Sequence, residues 1–409
     1  MTEPVRVLHF ADLHIGMENY GQIDPVSGTS SRVRDFLNRL DEVVSCALEQ
    51  EADLVVFAGD AFKTRDPDPT QQREFAHRIK ILANQMPVLL LAGNHDIPSM
   101  SARASSVDIY AALDVPNVIV GSKPGGQVVE TKRGPVYLAW MPYPMRNRLL
   151  GLEEHREKTI DELEGALRLV VADILAGLAQ KAAAQDMPRL LCAHFSVAEA
   201  KLGSERTVML GRDIAVIGST LADPAWDYIA LGHIHKHQVL NPEGYPPMVY
   251  SGSLERIDFG EQNEEKGFCW VELARGETTW RFVPVHARPF RTVTIDVREE
   301  EEPMALVLHK LEDFQAEESV VRVQLTLRAE QEAALQDNRI LAALEQASSV
   351  SIQRDIKTDL RTRLGENAPQ TLTPLELVER YFSLLQEPVD RIPVLLEKAE
   401  SLIHDSDQA

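Results

Sequence analysis

Cysteine is scarce. The 409 residues hold three, Cys46, Cys192 and Cys269, far apart and each in apolar surroundings. With no C-x-x-C pair, the sequence excludes a disulfide framework and a thiolate-held metal. Each thiol reads as buried and reduced, as expected of a cytoplasmic protein. Long hydrophobic runs are missing too. No segment approaches the ~20 consecutive apolar residues of a membrane helix. The first residues, with an acid at Glu3 and a strand-like run at Val5–Phe10, do not read as a signal peptide. Positive charge is also in short supply, with a net charge of −21. Residues 1–285 carry 28 lysines and arginines against 39 acids, and residues 286–409 carry 14 against 24. That balance argues against a protein that coats DNA passively, because phosphate contacts supply most non-specific affinity. It leaves room for an enzyme whose bound metal ions dominate the local field. Internal repeats are absent.

What is present is an alternation of strands and helices. Leu54–Ala58 and Pro87–Ala92 are apolar throughout, as strands buried on both faces are, and Val5–Phe10 is a short, largely apolar strand that also holds Arg6 and His9. Helical patterns run over Arg32–Gln50 and Thr70–Asn84, and a long one over Glu153–Ala184. Further strands are predicted at Asn117–Val120, Val128–Thr131, Val136–Trp140, Arg189–Ala193, Tyr228–Leu231, Met248–Ser251, Gly267–Leu273 and Thr278–Val285. A polar insertion occupies Glu18–Ser31. The first α/β domain ends near His286. A smaller α/β unit follows, with alternating strands through Val293–Val297 and Val321–Leu327, helices at Met304–Phe314 and Gln331–Ala347, and a strand at Val350–Ile356. A linker at 357–371 leads to Thr373-Pro374-Leu375-Glu376, a capping box that opens a helix. A second terminal helix spans Arg391–Ile403. The domain boundaries fall at 1–288, 289–356, 357–372 and 373–405.

Metal-binding side chains gather at strand ends. Asp12 and His14 follow the first strand as D-x-H, Asp60 follows the second as G-D, and Asn94, His95 and Asp96 follow the third as G-N-H-D. His194 ends a later strand. His233 and His235 follow the next as G-H-x-H. Strand ends on one sheet edge can converge on one crevice. The i, i+2 spacing of Asp12/His14 and of His233/His235 points both members to one side if the backbone stays extended. Seven donors result: Asp12, His14, Asp60, Asn94, His194, His233 and His235. Imidazole, carboxylate and amide without thiolate suit Mn²⁺, Fe²⁺ or Zn²⁺. Seven donors can serve two ions, with Asp60 as the bridge, and such a pair clamps both oxygens of an in-line phosphoryl displacement. His95 reads as the acid or orienting cation, with Asp96 holding its imidazole. His237 shares the parity of His233 and His235 but is not needed as a ligand. His9 reads as a packed core histidine. Lys63 and Arg65 read as solvated, as does Glu299–Glu302. Arg354, Lys357, Arg361 and Arg363 read as an exposed face rather than a nucleic-acid patch.

Taken together, D-x-H, G-D, G-N-H-D, a lone histidine and G-H-x-H resemble the calcineurin-like metallophosphoesterases. The later stretch containing Ser251-Gly252-Ser253, "ERIDFGE" and "EKGF" is similar to the segment after G-H-x-H in the SbcD family. SbcD is the nuclease that pairs with the SbcC ATPase in DNA double-strand-break repair. The resemblance covers residues 1–290. It implies a metallophosphoesterase sandwich of two mixed sheets flanked by helices, a small α/β capping domain that holds DNA, and C-terminal helices that dock on the ATPase's coiled coil. It implies one metal on Asp12, His14, Asp60 and His235 and another on Asp60, Asn94, His194 and His233, with Mn²⁺ preferred. His95 would be the catalytic histidine, supported by Asp96. The implied activity is a 3′-to-5′ exonuclease on duplex ends with endonuclease action on single strands or hairpins. The implied assembly is a homodimer on DNA in the nucleoid, away from any membrane. Where some relatives carry a histidine three residues after the bridging aspartate, this sequence has Lys63.

Two other classes stay open. The metal motifs alone also fit a phosphoesterase acting on a small cyclic nucleotide or a phosphoprotein. A non-catalytic scaffold on the same fold is the third reading, although such proteins typically lose ligands and none is missing here.

Overall fold

In the computed structural model, the described residues are 3–26, 28–98, 103–145, 160–201, 203, 215–357, 375–376, 378–379, 382 and 391–406. The chain divides into two compact units. The first comprises Met1–Val293 with Gln315–Arg322 and Leu344–Ser351. The second comprises Thr294–Phe314, Val323–Ala343 and Ile352–Ala409.

The first unit holds two six-stranded sheets. Its strands are β1 (Val5–Phe10), β2 (Leu54–Phe57), β3 (Val88–Leu91), β4 (Val118–Gly121), β5 (Gly125–Val129), β6 (Val136–Met141), β7 (Arg189–His194), β8 (Ser196–Val197), β9 (Ala215–Val216), β10 (Tyr228–Gly232), β11 (Gln238–Val239), β12 (Met248–Tyr250), β13 (Gly267–Leu273) and β14 (Thr279–Pro284). One sheet runs β14-β13-β1-β2-β3-β4 and the other β11-β12-β10-β7-β6-β5. Each has a parallel centre, β1 to β4 and β6-β7-β10-β12, with antiparallel strands at its margins. β8 and β9 form a separate parallel pair.

The apolar runs are continuous because both faces of these strands are covered. Val7, Leu54, Val56, Leu89 and Leu91 pack between the sheets with Leu138, Leu190, Cys192, Tyr228 and Ala230. Their neighbours Leu8, Phe10, Val55, Phe57 and Leu90 face outward onto helices Ser31–Glu49 and Pro69–Ala83. On the second sheet, Ala139, Leu191, Ala193, Ile229 and Leu231 face helix Ile160–Ala183 through Val171, Leu175 and Leu178. Two mixed sheets flanked by helices are the sandwich that the sequence resemblance implies. Ser30 caps the first helix by accepting from the Arg32 N–H. Asp68 caps the second by accepting from Thr70 and Gln71, with Pro69 at the first helical position.

The second unit takes the later parts of three strands, β15 (Phe290–Asp296), β16 (Val320–Arg328) and β17 (Ser349–Lys357), ordered β15-β16-β17 in their own sheet. Val323, Leu325 and Leu327 are buried and alternate with Gln324 and Thr326, as expected. Helix Pro303–Glu312 also matches its predicted span closely. The single helix expected over Gln331–Ala347 is instead two pieces, a 3₁₀ turn at Ala329–Ala334 and a helix at Asp337–Ala343. Leu335 between them is extended and buried. Asp337 and Asn338 follow, and such residues favour starting a helix over continuing one. The terminal helix spans Ile392–Ser406. Residues 153–159 of the long predicted helix, the linker beyond Lys357, and Thr373 and Pro374 of the capping box lie outside the described residues. Among the described residues no helix is long and apolar enough to cross a membrane.

His9 is the packed core histidine that the sequence suggested. It is fully buried on β1, with Nε2 3.2 Å from the Leu231 carbonyl and Nδ1 3.2 Å from the Tyr228 hydroxyl. A carbonyl can only accept, so Nε2 carries the proton and Nδ1 accepts from Tyr228. Burial lowers its pKa from 6.5 to about 3. Between those values the unfolded chain binds a proton that the native chain refuses, so stability is full above about 6.5 and falls as pH drops. In chelator-containing buffer, urea unfolding at pH 7 and pH 5 should show the wild type losing about 2 kcal/mol more than His9→Gln. Equal losses in the two proteins would place the titrating group elsewhere.

Candidate metal centre

The carboxyl ends of the parallel strands carry the predicted donors. After β1 and β2 the chain continues as two loops running side by side. Asp12 N–H donates to the Gly59 carbonyl at 2.9 Å, Leu13 N–H to the Asp60 carbonyl at 2.9 Å, and Ile15 N–H to the Ala61 carbonyl at 3.0 Å. This pairing coils the backbone. Asp12, His14, Asp60 and His233 have φ of +51°, +49°, +62° and +101°. The extended D-x-H and G-H-x-H stretches suggested by the i, i+2 spacing are therefore not what forms. Left-handed residues alternate with buried Leu13 and Ile15 instead, at a cost of about 1 kcal/mol or more each. Two glycines make the approach possible. Gly59 has φ +99°, and a Cβ there would overlap His194 Nδ1. A Cβ on Gly93 would run into the Asp60 carboxylate.

Three overlapping donor groups result, each with its ligand atoms within 4.8 Å of one another: Asp12, His14 and His235; His14, Asp60 and His95; Asp60, His194 and His233. Asn94 joins the third, with Oδ1 2.8 Å from His233 Nδ1 and 3.1 Å from His194 Nε2. All seven predicted donors thus meet in one place, and Asp60 lies between the two ends. His14 Nε2 is 3.8 Å from its Oδ2, and His194 Nε2 is 3.4 Å from the same atom.

The hydrogen bonds fix two of the histidine tautomers. His194 Nδ1 lies 2.6 Å from the Ala58 carbonyl and must donate to it. In the neutral ring its Nε2 then carries only a lone pair, aimed at Asn94 Oδ1 and Asp60 Oδ2, which are acceptors themselves. His235 Nδ1 lies 3.0 Å from Glu261 Oε1 and likewise donates, leaving a bare Nε2 3.0 Å from His14 Nε2. With His194 neutral, these nitrogen and oxygen donors face one another, an arrangement that suits a cation. The donor set fits divalent ions at both ends.

The charges agree. Burial lowers the His14 pKa well below 6.5, and the neighbouring His235 and His95 lower it further. Burial raises Asp12. Burial would raise Asp60 as well, but the surrounding imidazoles, His194 first, hold it well below the usual carboxylate range. Burial opposes a charge on His194, yet the carboxylates of Asp60 and Asp12 outweigh it and raise its pKa to about 9. In the metal-free protein a proton on His194 answers those carboxylates.

His95 stands beside the donors, with its ring edge-on to His14 at 4.8 Å between centroids. Its N–H donates to Asp60 Oδ1 at 2.8 Å. Asp96 was expected to hold the His95 imidazole, and it does not. His95 Nδ1 donates to the Lys63 carbonyl at 2.7 Å. The fully buried Asp96 carboxylate instead accepts from the N–H groups of Gly93 and Asp60 at 2.9 Å, from Ala61 at 3.1 Å, and from the Ser106 hydroxyl at 2.9 Å. Consecutive residues in a turn project apart, and Asp96 points inward to tie the β2 and β3 loops together. Burial, with repulsion from Asp60, raises its pKa to about 6. His237 is in none of the donor groups. Its Nδ1 meets the Tyr250 carbonyl at 2.8 Å and its ring stacks on Phe282 at 4.1 Å.

Sequence reasoning missed the outer partners. These are the Ala58 carbonyl behind His194, Glu261 and Lys266 behind His235, and Tyr143, whose ring lies 5.6 Å from that of His233. For Glu261 and Lys266 the one signal was the "ERIDFGE" and "EKGF" segment, which stands out by resemblance and whose physical role only the fold reveals.

The calcineurin-like phosphoesterase family matches residues 5–237. This chain belongs to that family. Its chemistry is phosphoester hydrolysis at a dimetal centre, and the converging donor groups could hold metal ions. Among curated proteins the chain is 27% identical to the SbcD component of the SbcCD nuclease of Bacillus subtilis (strain 168) over 289 residues, which cover 68% of this chain and 69% of that one. It is 26% identical over 280 residues to the SbcD component of the same nuclease in Escherichia coli (strain K12), covering 67% and 66%. It is 28% identical over 310 residues to the DNA double-strand break repair protein Mre11 of Archaeoglobus fulgidus, covering 71% and 62%. The match therefore spans about two thirds of the length of these relatives.

Because His194 is protonated below pH about 9, loading a divalent ion at neutral pH should release a proton from it. Titration calorimetry with Mn²⁺ in buffers of different ionisation enthalpy should count about one released proton at pH 7, with affinity rising as pH increases. A buffer-independent heat would contradict this. Gly59→Ala, which pushes a methyl group into His194, should lose Mn²⁺ binding at that end by at least tenfold while the chain stays folded by circular dichroism.

Proposed function

We propose that this chain is the nuclease component of a DNA double-strand-break repair complex. In this reading it degrades duplex ends from 3′ to 5′ and cuts single strands or hairpins, with Mn²⁺ as its metal and an SbcC-type coiled-coil ATPase as its partner. The observation that carries the reading is the convergence of six other donors on Asp60, in a chain whose curated relatives are named nucleases and break-repair proteins.

Asp12, His14, Asp60 and His235 would hold one divalent ion, and Asp60, Asn94, His194 and His233 the other. Bound there, two such ions supply Lewis acidity to a phosphodiester and to the water that attacks it. The rest is done by this chain's own groups. His95 works from Nε2, because its Nδ1–H is committed to the Lys63 carbonyl. When protonated, its Nε2–H stabilises the phosphate and passes to the departing oxygen. Asp96 keeps the Asp60 and Gly93 loops in register, so the donors stay where the ions need them.

Residues 1–288 form the nuclease domain in this reading, and 289–356 form a small domain that helps bind DNA. Residues 357–372 link these to helices within 373–405, which dock on the ATPase's coiled coil as helices in a groove. Val394, 65% exposed on the terminal helix, is one apolar contact such docking could cover. A homodimer through helices of the nuclease domain accounts for Ile109 and Leu113, 54% and 69% exposed at helix Asp108–Ala112. The enzyme would work at the nucleoid in the cytoplasm.

The test is degradation of a labelled blunt duplex with Mn²⁺ and with Mg²⁺, by the wild type and by His95→Ala. The expected result is Mn²⁺-dependent loss of 3′ nucleotides, reduced about 10²- to 10⁴-fold in the variant. Intact DNA alongside hydrolysis of bis-p-nitrophenyl phosphate, both without and with the ATPase, would leave a phosphodiesterase of some other substrate.

A further inference from the structure

The segment between β12 and β13 closes around one side of one ligand. Glu261 is 0% exposed in a chain that is otherwise strongly acidic on its surface. Its Oε1 lies 3.0 Å from His235 Nδ1. Its Oε2 accepts from the Ile257 N–H at 3.0 Å and from Lys266 Nζ at 2.9 Å. Lys266 is itself 2% exposed. Its ammonium has three protons and three acceptors: Glu261 Oε2 at 2.9 Å, Glu264 Oε2 at 2.9 Å and the His235 carbonyl at 3.1 Å. That same carbonyl accepts from the Ser253 N–H at 3.0 Å. His235 is thus held at both ends, by its carbonyl and by its ring. It is also the one donor histidine of the four that is not fully buried, so surrounding packing alone does not fix its ring.

We infer that Glu261, fixed by Lys266, is a positioning residue that locks His235 as its Nδ1–H tautomer and so sets the affinity of the metal subsite formed with Asp12 and His14. The inference rests on the reading of His235 as a ligand. An ionised carboxylate can only accept, so the proton sits on Nδ1 and the lone pair on Nε2 faces His14 and Asp12. A carboxylate behind a ligating imidazole fixes its orientation and raises its basicity. Burying that carboxylate without a counter-charge would be strongly unfavourable, and Lys266 is the counter-charge. The other end of the centre is built differently, since His194 has only the neutral Ala58 carbonyl behind it. Glu261 and Lys266 also lie beyond residue 237, where the family match ends.

The experiment is a Mn²⁺ titration of the full-length protein followed by the electron paramagnetic resonance of the free ion. Wild type, Glu261→Gln, Lys266→Met and His235→Ala are compared. Glu261→Gln keeps the shape and removes the charge, and it should weaken one of two bound ions by about ten- to a hundredfold while leaving the other unchanged. Lys266→Met should move the same ion in the same direction. If Glu261→Gln binds both ions like the wild type while His235→Ala loses one, the positioning role is overturned and the ligand reading stands. If His235→Ala also binds both, the ligand reading itself has failed. A uniform weakening of both ions, with a lower melting temperature in chelator, would reduce Glu261 to a scaffold residue and overturn the proposal. Should the variants fail to fold, the wild type still decides. Long-range ¹H–¹⁵N spectra of the histidine-labelled, metal-free protein should show His235 protonated at Nδ1 and bare at Nε2, and the opposite tautomer overturns the proposal.

Discussion

The arrangement around Asp60 is the constraint on which the rest depends. Its carbonyl accepts from Leu13 and His14, its N–H donates to Asp96, and its carboxylate accepts from the His95 N–H. One residue therefore sets the spacing of three loops, those after β1, β2 and β3. Nothing about that arrangement is cheap. The carboxylate is 2% exposed, its backbone is left-handed, and its charge is answered by the surrounding imidazoles and the backbone N–H of His95. The sandwich behind it supplies the rigidity. Two sheets packed face to face and covered by helices on their outer sides hold five strand ends at one edge with little freedom to drift.

That architecture also explains how much of the molecule is legible in its sequence. A strand covered on both faces must be largely apolar. The first polar side chain after such a run therefore marks where the strand leaves the core, and Asp12, Asp60, Asn94, His194 and His233 all stand out that way. Only burial enters that inference, so it holds even though the backbone is coiled rather than extended. It fails where position depends on turn geometry. Asp96 is adjacent to His95 in sequence, but a tight turn sends their side chains in different directions. The helix expected over Gln331–Ala347 breaks at Leu335, where burial of one side chain outweighs helical continuity. Glu261 and Lys266 are beyond reach of pattern reading because they lie 26 and 31 residues after His235 on a segment with no periodicity, and only the fold brings them back.

Electrostatics connects the site to the chain's overall charge. A chain of net charge −21 repels a polyanion at long range, and the centre's own Asp12 and Asp60 add to that until they are neutralised. Divalent ions at the donors would reverse the local sign just where a phosphodiester must sit. Metal loading then governs not only hydrolysis but approach of any phosphate to the edge of the sheets.

The left-handed residues carry a consequence for how this site can be dissected. Asp12, His14, Asp60 and His233 each combine two roles, a donor atom at the tip and a backbone twist that few side chains tolerate. Asparagine and aspartate visit that conformation more readily than alanine, and glycine most readily of all. Truncation to alanine at these four positions therefore removes the donor and strains the loop at once, and it reports the sum. Exchange of aspartate for asparagine separates the two, since it keeps the twist and alters only the donor's charge. Evolution faces the same arithmetic. At these positions the acceptable alphabet is set by φ as well as by metal chemistry, so the motif is narrower than the ions alone would require.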